Sequence, residues 1–479
     1  GTSALSGRTI TLSGLSATLH ESRHRYASFY ANAGYSYLSR YNLSGSIRWD
    51  QADLFGLDIR NQRHPLWSVG ASWILSEESF MKEISWLDYL KLRMTYGING
   101  NVDQASTTYF VVKKKTQSNP IKTTYLTYED DDLPNPKLRW EKTATYNIGL
   151  DFRLFKNLIS GTLEYYNRHS SDLLVRRYMD PTLGAGSRVV NNGEMRNRGV
   201  ELSLTTNIIR KKDWNFAVDF NFDHNKNKML KVDHSESDNA SLFIKSPLNY
   251  FMEGTSYNTL WAYRIHRIEN GYPVAVDKDG NDLVKFNEDG TVASITSGSS
   301  LKGTDDLVSL GSLTPKFSGS VGLRFNYKNF DLNAFFVYAG GNKLRNSVLK
   351  MDDQLGTQTL KGIANRWTAD DAQVRMYLDI PAQVKTYAST FQDWWQYGDI
   401  NVKDAGYVKL RSLSVGYNLP FTVCQHLRLS SLKVKVQVNN LFTWCKAGSD
   451  IDPESYGMND GTRGIASPKT YSIGLSTSF

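Results

Sequence analysis

Apolar and polar residues alternate with a period of two along most of this chain. In residues 143–154, TATYNIGLDFRL, every second position from Ala144 to Leu154 is apolar or aromatic, and most positions between them are polar. GVELSLTTNI, WNFAVDFNFDHN, KFSGSVGLRFNY and LKVKVQVNNLF follow the same rule. The alternation predicts β-strands that have one apolar face and one polar face.

Thirteen strands are predicted from this pattern. They lie at about residues 25–37, 41–49, 66–76, 88–97, 141–153, 158–167, 199–208, 214–225, 316–327, 330–339, 406–419, 431–442 and 470–479. Most of them run about ten to thirteen residues, whereas the common strand length is about five or six. The greater length matches one tilted crossing of a lipid bilayer.

The polar face is compatible with two architectures. A soluble β-sandwich buries its apolar face and shows its polar face to water, whereas a membrane barrel turns the apolar face to lipid and the polar face to its lumen. Strand length favours the barrel, and so do aromatic residues near the predicted strand ends, which would form interfacial girdles. These residues are Trp49, Trp67, Trp73, Tyr96, Trp140, Tyr327 and Tyr338.

The links between the predicted strands alternate between short and long. Residues 38–40, 155–157, 210–214 and 328–329 are tight, and the links at about 226–315 and 340–405 are expected to be long loops without regular structure. Short periplasmic turns and long outer loops are typical of outer-membrane barrels. One link differs, because residues 77–90, EESFMKEISWLDYL, predict a short amphipathic helix on the periplasmic side.

The number of strands has a consequence for the whole barrel. If the tight turns are periplasmic, the last predicted strand runs towards the periplasm, and with thirteen strands the first does so too. Residues 1–24 would then begin outside the cell, so at least one earlier strand is expected elsewhere in the protein. Thirteen strands alone would also leave two open edges in lipid, which is unfavourable because their backbone groups would be unpaired.

Composition narrows the function classes. The chain has 56 Lys+Arg and 48 Asp+Glu residues, a formal net charge of +8, and its longest basic run is KKK at 113–115, so nucleic-acid binding is not indicated. The sequence shows neither an apolar run long enough for a transmembrane helix nor a signal-peptide pattern. Its two cysteines, Cys424 and Cys445, are predicted at opposite ends of the barrel and therefore unpaired.

Several stretches resemble the SusC/RagA-like TonB-dependent transporters of the outer membrane. NNGEMRNRGVEL at 191–202 is similar to the family pattern N-x-G…N-x-G-x-E, and NPKLRWE at 135–141 is similar to its N-P-x-L-x-W-E strand entry. SIRWDQADLFG resembles the R-x-D-G-S-S-x-F-G hairpin, although Gln51, Ala52 and Asp53 replace Gly-Ser-Ser. The pattern residues are Asn192, Gly193, Asn197, Gly199 and Glu201, with Asn135, Pro136, Leu138, Trp140 and Glu141. The resemblance runs in family order from about residue 25 to the end.

The resemblance implies a fold and a set of partners. Residues 1–479 would be an all-β, C-terminal portion of one transmembrane antiparallel β-barrel, with about 13 of 22 strands and long extracellular loops, and without the N-terminal plug. Implied partners are the remainder of the same transporter, a SusD-like lipoprotein lid, TonB and outer-membrane lipid. The implied role is import of glycans or oligopeptides across the outer membrane of a Gram-negative bacterium, with no cofactor.

The last strand, TYSIGLSTSF, carries a further implication of the resemblance. Tyr471, Ile473, Leu475 and Phe479 lie on one face of it. In barrels of this kind the last strand and its terminal aromatic residue are the signal for the barrel-assembly machinery, and the C-terminus lies at the periplasmic side. The strand is expected to pair with the first one, because closure of a barrel joins its first and last strands.

Aromatic residues in the predicted outer loops are candidate ligand contacts. Aromatic faces stack on sugar rings, and tyrosine also donates hydrogen bonds to peptides. Packing within the loops and contact with the lid lipoprotein are the alternatives, since exposed aromatic patches mark partner surfaces as readily as ligand sites. The candidates are Trp261, Tyr263, Trp394, Trp395 and Tyr397.

Charged side chains on the polar faces are expected to solvate the lumen and bind the plug, and they are secondary candidates for guiding substrate. They are Arg48, Asp151, Arg153, Glu201, Asp219, Asp223, Arg324, Lys433 and Lys435. DKDGNDLVKFNE at 277–288 is acidic, but its glycine is at the fourth place, so a hairpin turn is expected rather than a calcium loop. HESRH at 20–24 offers no third zinc ligand nearby, and no metal site is predicted.

Three functions remain open at this point. The first is a TonB-dependent importer, and the second is a passive outer-membrane porin, which an upstream plug and TonB box would exclude. The third is a soluble glycan-binding β-protein, which would be extracted without detergent. No pattern indicates an enzyme, and the substrate stays undecided between glycan and peptide.

Overall fold

The computed structural model describes residues 26–52, 63–101, 112–116, 123–128, 132–133, 135, 137–180, 182, 187–232, 239–269, 271–348 and 387–478. The strands in these ranges are β1 (Tyr26–Tyr37), β2 (Tyr41–Ala52), β3 (Arg63–Ile74), β4 (Leu87–Asn101), β5 (Val112–Thr116), β6 (Thr124–Tyr128), β7 (Asp132–Leu133), β8 (Glu141–Leu154), β9 (Ile159–Tyr178), β10 (Ser187–Arg210), β11 (Trp214–Lys231), β12 (Thr259–Glu269), β13 (Tyr272–Val276), β14 (Val284–Phe286), β15 (Val292–Ile295), β16 (Leu307–Ser312), β17 (Phe317–Tyr327), β18 (Phe330–Gly340), β19 (Lys343–Arg345), β20 (Val402–Asp404), β21 (Tyr407–Asn418), β22 (Ser431–Cys445) and β23 (Thr470–Ser478).

Helices are few and short. The α-helices of the described residues are α1 (Ala240–Lys245), α2 (Ala388–Tyr397) and α3 (Phe421–His426). Single 3-10 turns lie at Leu75–Glu77, Ser79–Met81, Asp399–Asn401 and Pro453–Ser455. Among the described helices, none combines the length and the apolar character needed to cross a membrane.

One antiparallel sheet dominates the structure. Its strands lie in the order β1-β2-β3-β4-β8-β9-β10-β11-β17-β18-β21-β22-β23, and β7 adds a short parallel pairing to β10. Each long strand therefore pairs with the next long strand along the chain. The prediction of thirteen strands joined as consecutive antiparallel neighbours is confirmed.

The apolar side chains of all thirteen strands share one face of this sheet. Cross-strand register aligns them in continuous rows, such as Leu43–Ala71–Met94–Ile148–Tyr165–Val200 and Phe216–Phe325–Leu332–Val415–Val436–Ile473. Phe29 on β1 and Ile473 on β23 are 77% and 76% exposed. An apolar face of this extent would be unfavourable in water and is the surface that lipid requires.

The tight links lie at one end of the sheet, which we call the turn end, and the long links lie at the other, the loop end. Leu38 and Ser39 have φ angles of 51° and 55°, and Lys328 has a φ of 47°. Positive φ at such positions is typical of the primed turns that match the twist of a hairpin. The predicted tight turns are confirmed by this geometry.

The predicted helix at 77–90 is wrong. The structure has two 3-10 turns there, and β4 already begins at Leu87. The carboxylate of Glu78 accepts hydrogen bonds from Tyr41 Oη at 2.6 Å, Trp73 Nε1 at 3.0 Å and Arg40 Nη1 at 3.0 Å. These bonds hold the backbone at residue 78 against the β2–β3 strands, and a continuous helix would turn the carboxylate away from them.

Three strands exceed their predicted lengths by the largest margins. β9, β10 and β11 have 20, 24 and 18 residues, and β9 pairs with β10 as far as Tyr178 opposite Ser187. The extensions, such as NRHSSDLL in β9, do not alternate in polarity. The periodic signal therefore ends where the apolar face ends, although backbone pairing continues beyond it.

The described parts of the long loops contain regular structure, contrary to the expectation. The link between β11 and β17 contains α1 and β12–β16, and the link between β18 and β21 contains β19, α2 and β20. We call residues 239–269, 271–312, 342–348, 387–405 and 446–463 the loop platform. Its core is apolar and aromatic, and it includes Phe243, Val274, Leu307, Phe391 and Trp394. Most of these elements are too short for a periodicity to be visible in sequence, and the first half of β12 is buried throughout rather than on alternate residues, so burial among the loops decides their structure.

The cysteines are unpaired, as predicted. Cys424 lies in α3 at the turn end, and Cys445 ends β22 at the loop end. Both side chains are buried. We expect a maleimide reagent to label neither thiol in the folded transporter and both after denaturation, because a thiol needs solvent access to react. Rapid labelling of Cys445 in the native protein would show that the loop platform opens.

Candidate functional site

The polar face of the sheet carries a partly buried charge cluster near its centre. Arg93 of β4 donates to Asp151 of β8 at 2.8 and 3.0 Å and to Glu164 of β9 at 2.6 Å. The remaining acceptor positions are used as well, because Thr162 Oγ1 donates to Asp151 at 3.1 Å and Asn147 Nδ2 donates to Glu164 at 2.9 Å. Strand register brings these five residues together from three neighbouring strands.

Further ion pairs continue along the same face. Arg324 of β17 binds Asp219 of β11 at 2.8 Å, and Lys433 of β22 binds Asp331 of β18 at 2.5 Å. Thr205 Oγ1 also donates to Asp219, at 2.8 Å. The predicted lumen residues Asp151, Asp219, Arg324 and Lys433 are thus in cross-strand ion pairs, which leaves a polar wall with both signs of charge.

A groove runs along this wall. It has a volume of 360 Å³ and is lined mainly by polar residues of β9, β10, β11 and β17. Two of the predicted charges, Glu201 and Asp223, belong to its lining. The arrangement is suited to hold water and polar solutes rather than an apolar ligand.

Loss of Arg93 is expected to destabilise the wall. Arg93→Gln removes the cation between Asp151 and Glu164, whose side chains are about one quarter exposed. We expect a loss of about 1–3 kcal/mol, reduced from the fully buried case because water reaches the cluster. The midpoint of thermal unfolding in detergent measures it.

Arg153→Gln is the matched control for that experiment. Arg153 lies on the same face of β8 and packs over the Tyr89 ring at 4.7 Å, with its side chain exposed. Its substitution should change the midpoint little. Equal midpoints for the two variants would mean that the Arg93 cluster does not stabilise the sheet.

The loop platform is organised around Arg345, which is fully buried. Its Nε donates to the carbonyl of Asn459 at 2.7 Å, and its Nη2 donates to the carbonyl of Trp261 at 2.8 Å. Its guanidinium also lies 4.9 Å from the centre of the Tyr397 ring. One side chain therefore joins segments that precede β17, follow β18 and follow β22. Burial lowers the pKa of Arg345 to about 10.

All five predicted ligand contacts lie in this platform, and four of them are in its buried core. Trp261, Tyr263, Trp394 and Trp395 are all in its buried core, and Trp394 has no exposed surface. Tyr397 is partly buried, between Arg345 and Lys245, whose Nζ is 5.8 Å from its ring centre. Burial favours the packing alternative for the four core residues. Contact of these aromatic residues with a ligand stays a prediction.

Ion pairs also tie the platform to β21 and join segments of the platform to one another. Lys409 of β21 is almost completely buried, and its Nζ binds Asp452 at 2.8 Å and Glu454 at 2.9 Å. Asp404 binds Lys343 and Lys446, both at 2.6 Å. Hydrogen bonds from these two lysines lower the pKa of Asp404 to about 2. Asp404 therefore stays ionised, and this link persists, until the pH falls to that range.

A model of a known family matches most of the chain. The family of TonB dependent receptor-like β-barrels matches residues 5–441. The chain belongs to this family. The members of this family are outer-membrane β-barrels, which agrees with the large antiparallel sheet of thirteen long strands.

Curated relatives of this receptor barrel point the same way. TonB-dependent receptor P3 of Formosa agariphila is 26% identical over 487 residues, which cover 94% of this chain and 45% of that protein. TonB-dependent receptor SusC of Bacteroides thetaiotaomicron is 30% identical over 283 residues, 56% of this chain and 28% of SusC. The receptor barrel thus spans about half the length, or less, of these relatives.

Solved structures support the fold of the receptor barrel. The RagAB peptide transporter superposes with a TM-score of 0.70 at 25% identity, covering 99% of this chain and 50% of that one. The RagAB peptide importer in its 'open-open' state gives a TM-score of 0.72, also at 25% identity. The resemblance to SusC and RagA derived from sequence motifs is confirmed.

Residues of the predicted assembly signal lie on the last strand of the receptor barrel. Tyr471, Ile473 and Leu475 of β23 point to the apolar face and are exposed, whereas Phe479 lies outside the described residues. Their role as an assembly signal stays a prediction.

The acidic segment at 277–288 forms turns. Asp277 Oδ1 accepts from the backbone N–H of Asp279 at 2.9 Å and of Asn281 at 2.8 Å, and Gly280 has a φ of 86°. These are the features of a tight turn, as expected. The described ranges contain no group of three or more His, Cys, Asp or Glu side chains placed to hold a metal ion. Residues 20–24 lie outside those ranges.

Two residues of the receptor barrel that organise the site carried no sequence signal. Arg345 stands in NKLRNS and Glu78 in SEESF, and neither belongs to a motif. Their roles depend on partners far away in sequence, such as Asn459 and Tyr41.

Proposed function

We propose that this chain is the C-terminal barrel portion of a TonB-dependent outer-membrane importer of the SusC/RagA type. The observation that carries the proposal is the division of one thirteen-stranded sheet into a face with a continuous apolar band and a charged polar face. Such a sheet is suited to separate lipid from a water-filled passage. Transport through it needs no chemistry on the substrate.

The proposed orientation follows from the links. The turn end would lie in the periplasm and the loop end outside the cell, because outer-membrane barrels have short periplasmic turns and longer external loops. The C-terminus would then be periplasmic. The loop platform would face the medium and form the docking surface for a SusD-like lipoprotein lid.

The edges of the sheet support a role for the remainder of the same transporter. In the described part of the chain, β1 pairs with β2 and β23 pairs with β22. Free strand edges are unstable in lipid, because no water is present to bind their backbone groups. We propose that earlier strands of the same transporter complete the barrel, that its plug binds the polar wall, and that TonB and the barrel-assembly machinery act on the whole protein.

Oligopeptides are the substrate class that we favour, with glycans as the alternative. The polar wall carries paired charges of both signs, which suit the termini and side chains of peptides. The loop aromatic residues that would stack on sugars are largely buried. The RagAB structures are those of a peptide transporter, whereas the resemblance to the SusC/RagA-like family implies either substrate class.

Uptake by cells tests the proposal. The gene of the full-length transporter is deleted and restored, and growth is followed on an oligopeptide mixture and on glycans as sole nutrients. Uptake that needs the transporter and stops when a protonophore collapses the proton gradient is expected. Uptake that survives the protonophore would indicate a passive porin, and extraction of the protein without detergent would indicate a soluble binding protein.

A further inference from the structure

Four basic side chains form a patch on the apolar face of the sheet, at its loop end. Arg196 and Arg198 of β10 lie directly opposite Lys228 and Lys226 of β11. They have the same parity as Val200, Leu202, Phe220 and Phe222, so they share the face that the apolar rows occupy. We call these four residues the basic patch.

The basic patch contains two like-charge cross-strand pairs. Side chains directly opposite each other on antiparallel strands have Cβ atoms about 5 Å apart, and like charges there are destabilising. Two such pairs are stacked along the strands, Arg198 with Lys226 and Arg196 with Lys228. Four cations at this spacing repel one another unless nearby anions compensate their charge.

The surrounding residues do not supply them. Within the described ranges, no member of the basic patch forms an ion pair or a side-chain hydrogen bond. The neighbouring positions on the same face are Asn167 and His169 of β9, opposite Arg198 and Arg196, and His224 of β11, opposite Val200, and none of them is a carboxylate. Glu194 is the carboxylate beside them, and it lies 3.5 Å from His169. Arg198, Lys226 and Lys228 are exposed.

An apolar and aromatic surface adjoins the basic patch on the side of the turn end. Leu163 and Tyr165 of β9 are exposed there, and Tyr165 packs 6.1 Å from Tyr146. Val200 and Leu202 continue this surface on β10. A ligand of the patch would thus have a charged head beside the cations and an apolar body along the strands. A phosphate-bearing lipid has that shape, whereas a free phosphate would use only the cations.

We propose that the basic patch binds the phosphate groups of an anionic glycolipid in the outer leaflet, whose acyl chains lie along the apolar residues below. The proposal rests on the orientation given under the proposed function, in which the loop end is external. Phosphate oxygens accept charge-assisted hydrogen bonds from arginine and lysine and would relieve the repulsion between them.

Native mass spectrometry of the full-length transporter in detergent tests this site. The probes are diphosphorylated lipid A, the same lipid without its phosphates, and inorganic phosphate. The test variant is Arg198→Gln with Lys226→Gln, and the charge-matched control is Lys278→Gln with Lys285→Gln on exposed residues of the loop platform. We expect the test variant to bind diphosphorylated lipid A at least about tenfold more weakly than the wild type and the control. The dephosphorylated lipid should bind weakly to all three.

Several results would overturn the proposal. Equal affinity of the test variant and the control for lipid A would do so. Displacement of the lipid by millimolar inorganic phosphate would show a simple anion site. A wild-type dimer that becomes a monomer in the test variant, with unchanged lipid binding, would show that a second copy of the chain covers the patch.

A second variant covers the case in which the double variant does not assemble. Lys226→Glu converts one repulsive pair into an attractive one. It should raise the unfolding temperature in lipid-free detergent and still weaken lipid A binding, whereas a lower unfolding temperature would contradict the repulsion argument. If a variant loses lipid binding but still imports normally, the importer proposal stands. A wild-type protein that binds lipid A but imports nothing would refute only the proposed function.

Discussion

Arg345→Ala is expected to loosen the loop platform more than any other single substitution considered. The change leaves the carbonyls of Trp261 and Asn459 without their donor and opens a cavity beside Tyr397. Unsatisfied buried carbonyls and a new cavity together should cost about 3–5 kcal/mol of local stability. Hydrogen exchange measured on the full-length transporter should therefore become about 100-fold faster, or more, for the amides of β12.

Two further variants make that result specific. Arg345→Met fills most of the volume and removes the buried charge, so its effect should be smaller than that of alanine, because hydrophobic replacement of buried charges is often tolerated. Arg267→Ala is the surface control, since Arg267 pairs with Glu269 and Asp282 at 2.6 and 2.7 Å but is more than one third exposed. Exchange in β12 that is equally slow in Arg345→Ala and Arg267→Ala would refute the central role of Arg345.

Gly319→Ala is expected to impair assembly of the sheet. A Cβ atom at residue 319 of β17 would lie within 3.0 Å of the backbone oxygen of Asn221 and of Tyr338 Oη. The Tyr338 ring lies across the glycine, and its hydroxyl donates to that same oxygen at 2.9 Å. Since a backbone oxygen cannot rotate away, the strands β11 and β17 must separate, at a cost of roughly 3 kcal/mol or more. The folded fraction in outer membranes, read from heat-modifiable gel mobility, should fall sharply.

The same strand offers a matched control. Gly322→Ala would place its Cβ 3.5 Å from the nearest atom, an ordinary van der Waals contact. It should assemble normally. Tyr338→Phe removes only the hydrogen bond and should cost about 1 kcal/mol. Normal assembly of Gly319→Ala would mean that the two strands can move apart freely at this position.

Strand register can be predicted from sequence in some hairpins of the sheet but not in others. The two-residue turn at 328–329 places Gly319 opposite Tyr338, so this contact follows from the hairpin alone. The hairpin between β10 and β11 is different, because its register shifts by one residue between Asn207 and Ile209. The turn at 211–213 and the apolar pattern of the two strands disagree by one position, and the bulge reconciles them. Without it Arg198 would not lie opposite Lys226.

The alternation of side chains by itself predicted the thirteen strands, their order and their apolar face, and short residue motifs indicated the family. The period of two depends only on residues that are close in sequence, so the strands can be predicted whether lipid or protein covers their apolar face. The tertiary structure decided what the loops do. Arg345 reaches Trp261 across 84 residues and Asn459 across 114, and the aromatic residues that resembled ligand contacts pack around it. Such contacts join segments with no periodic relation, so only the folded chain brings them together.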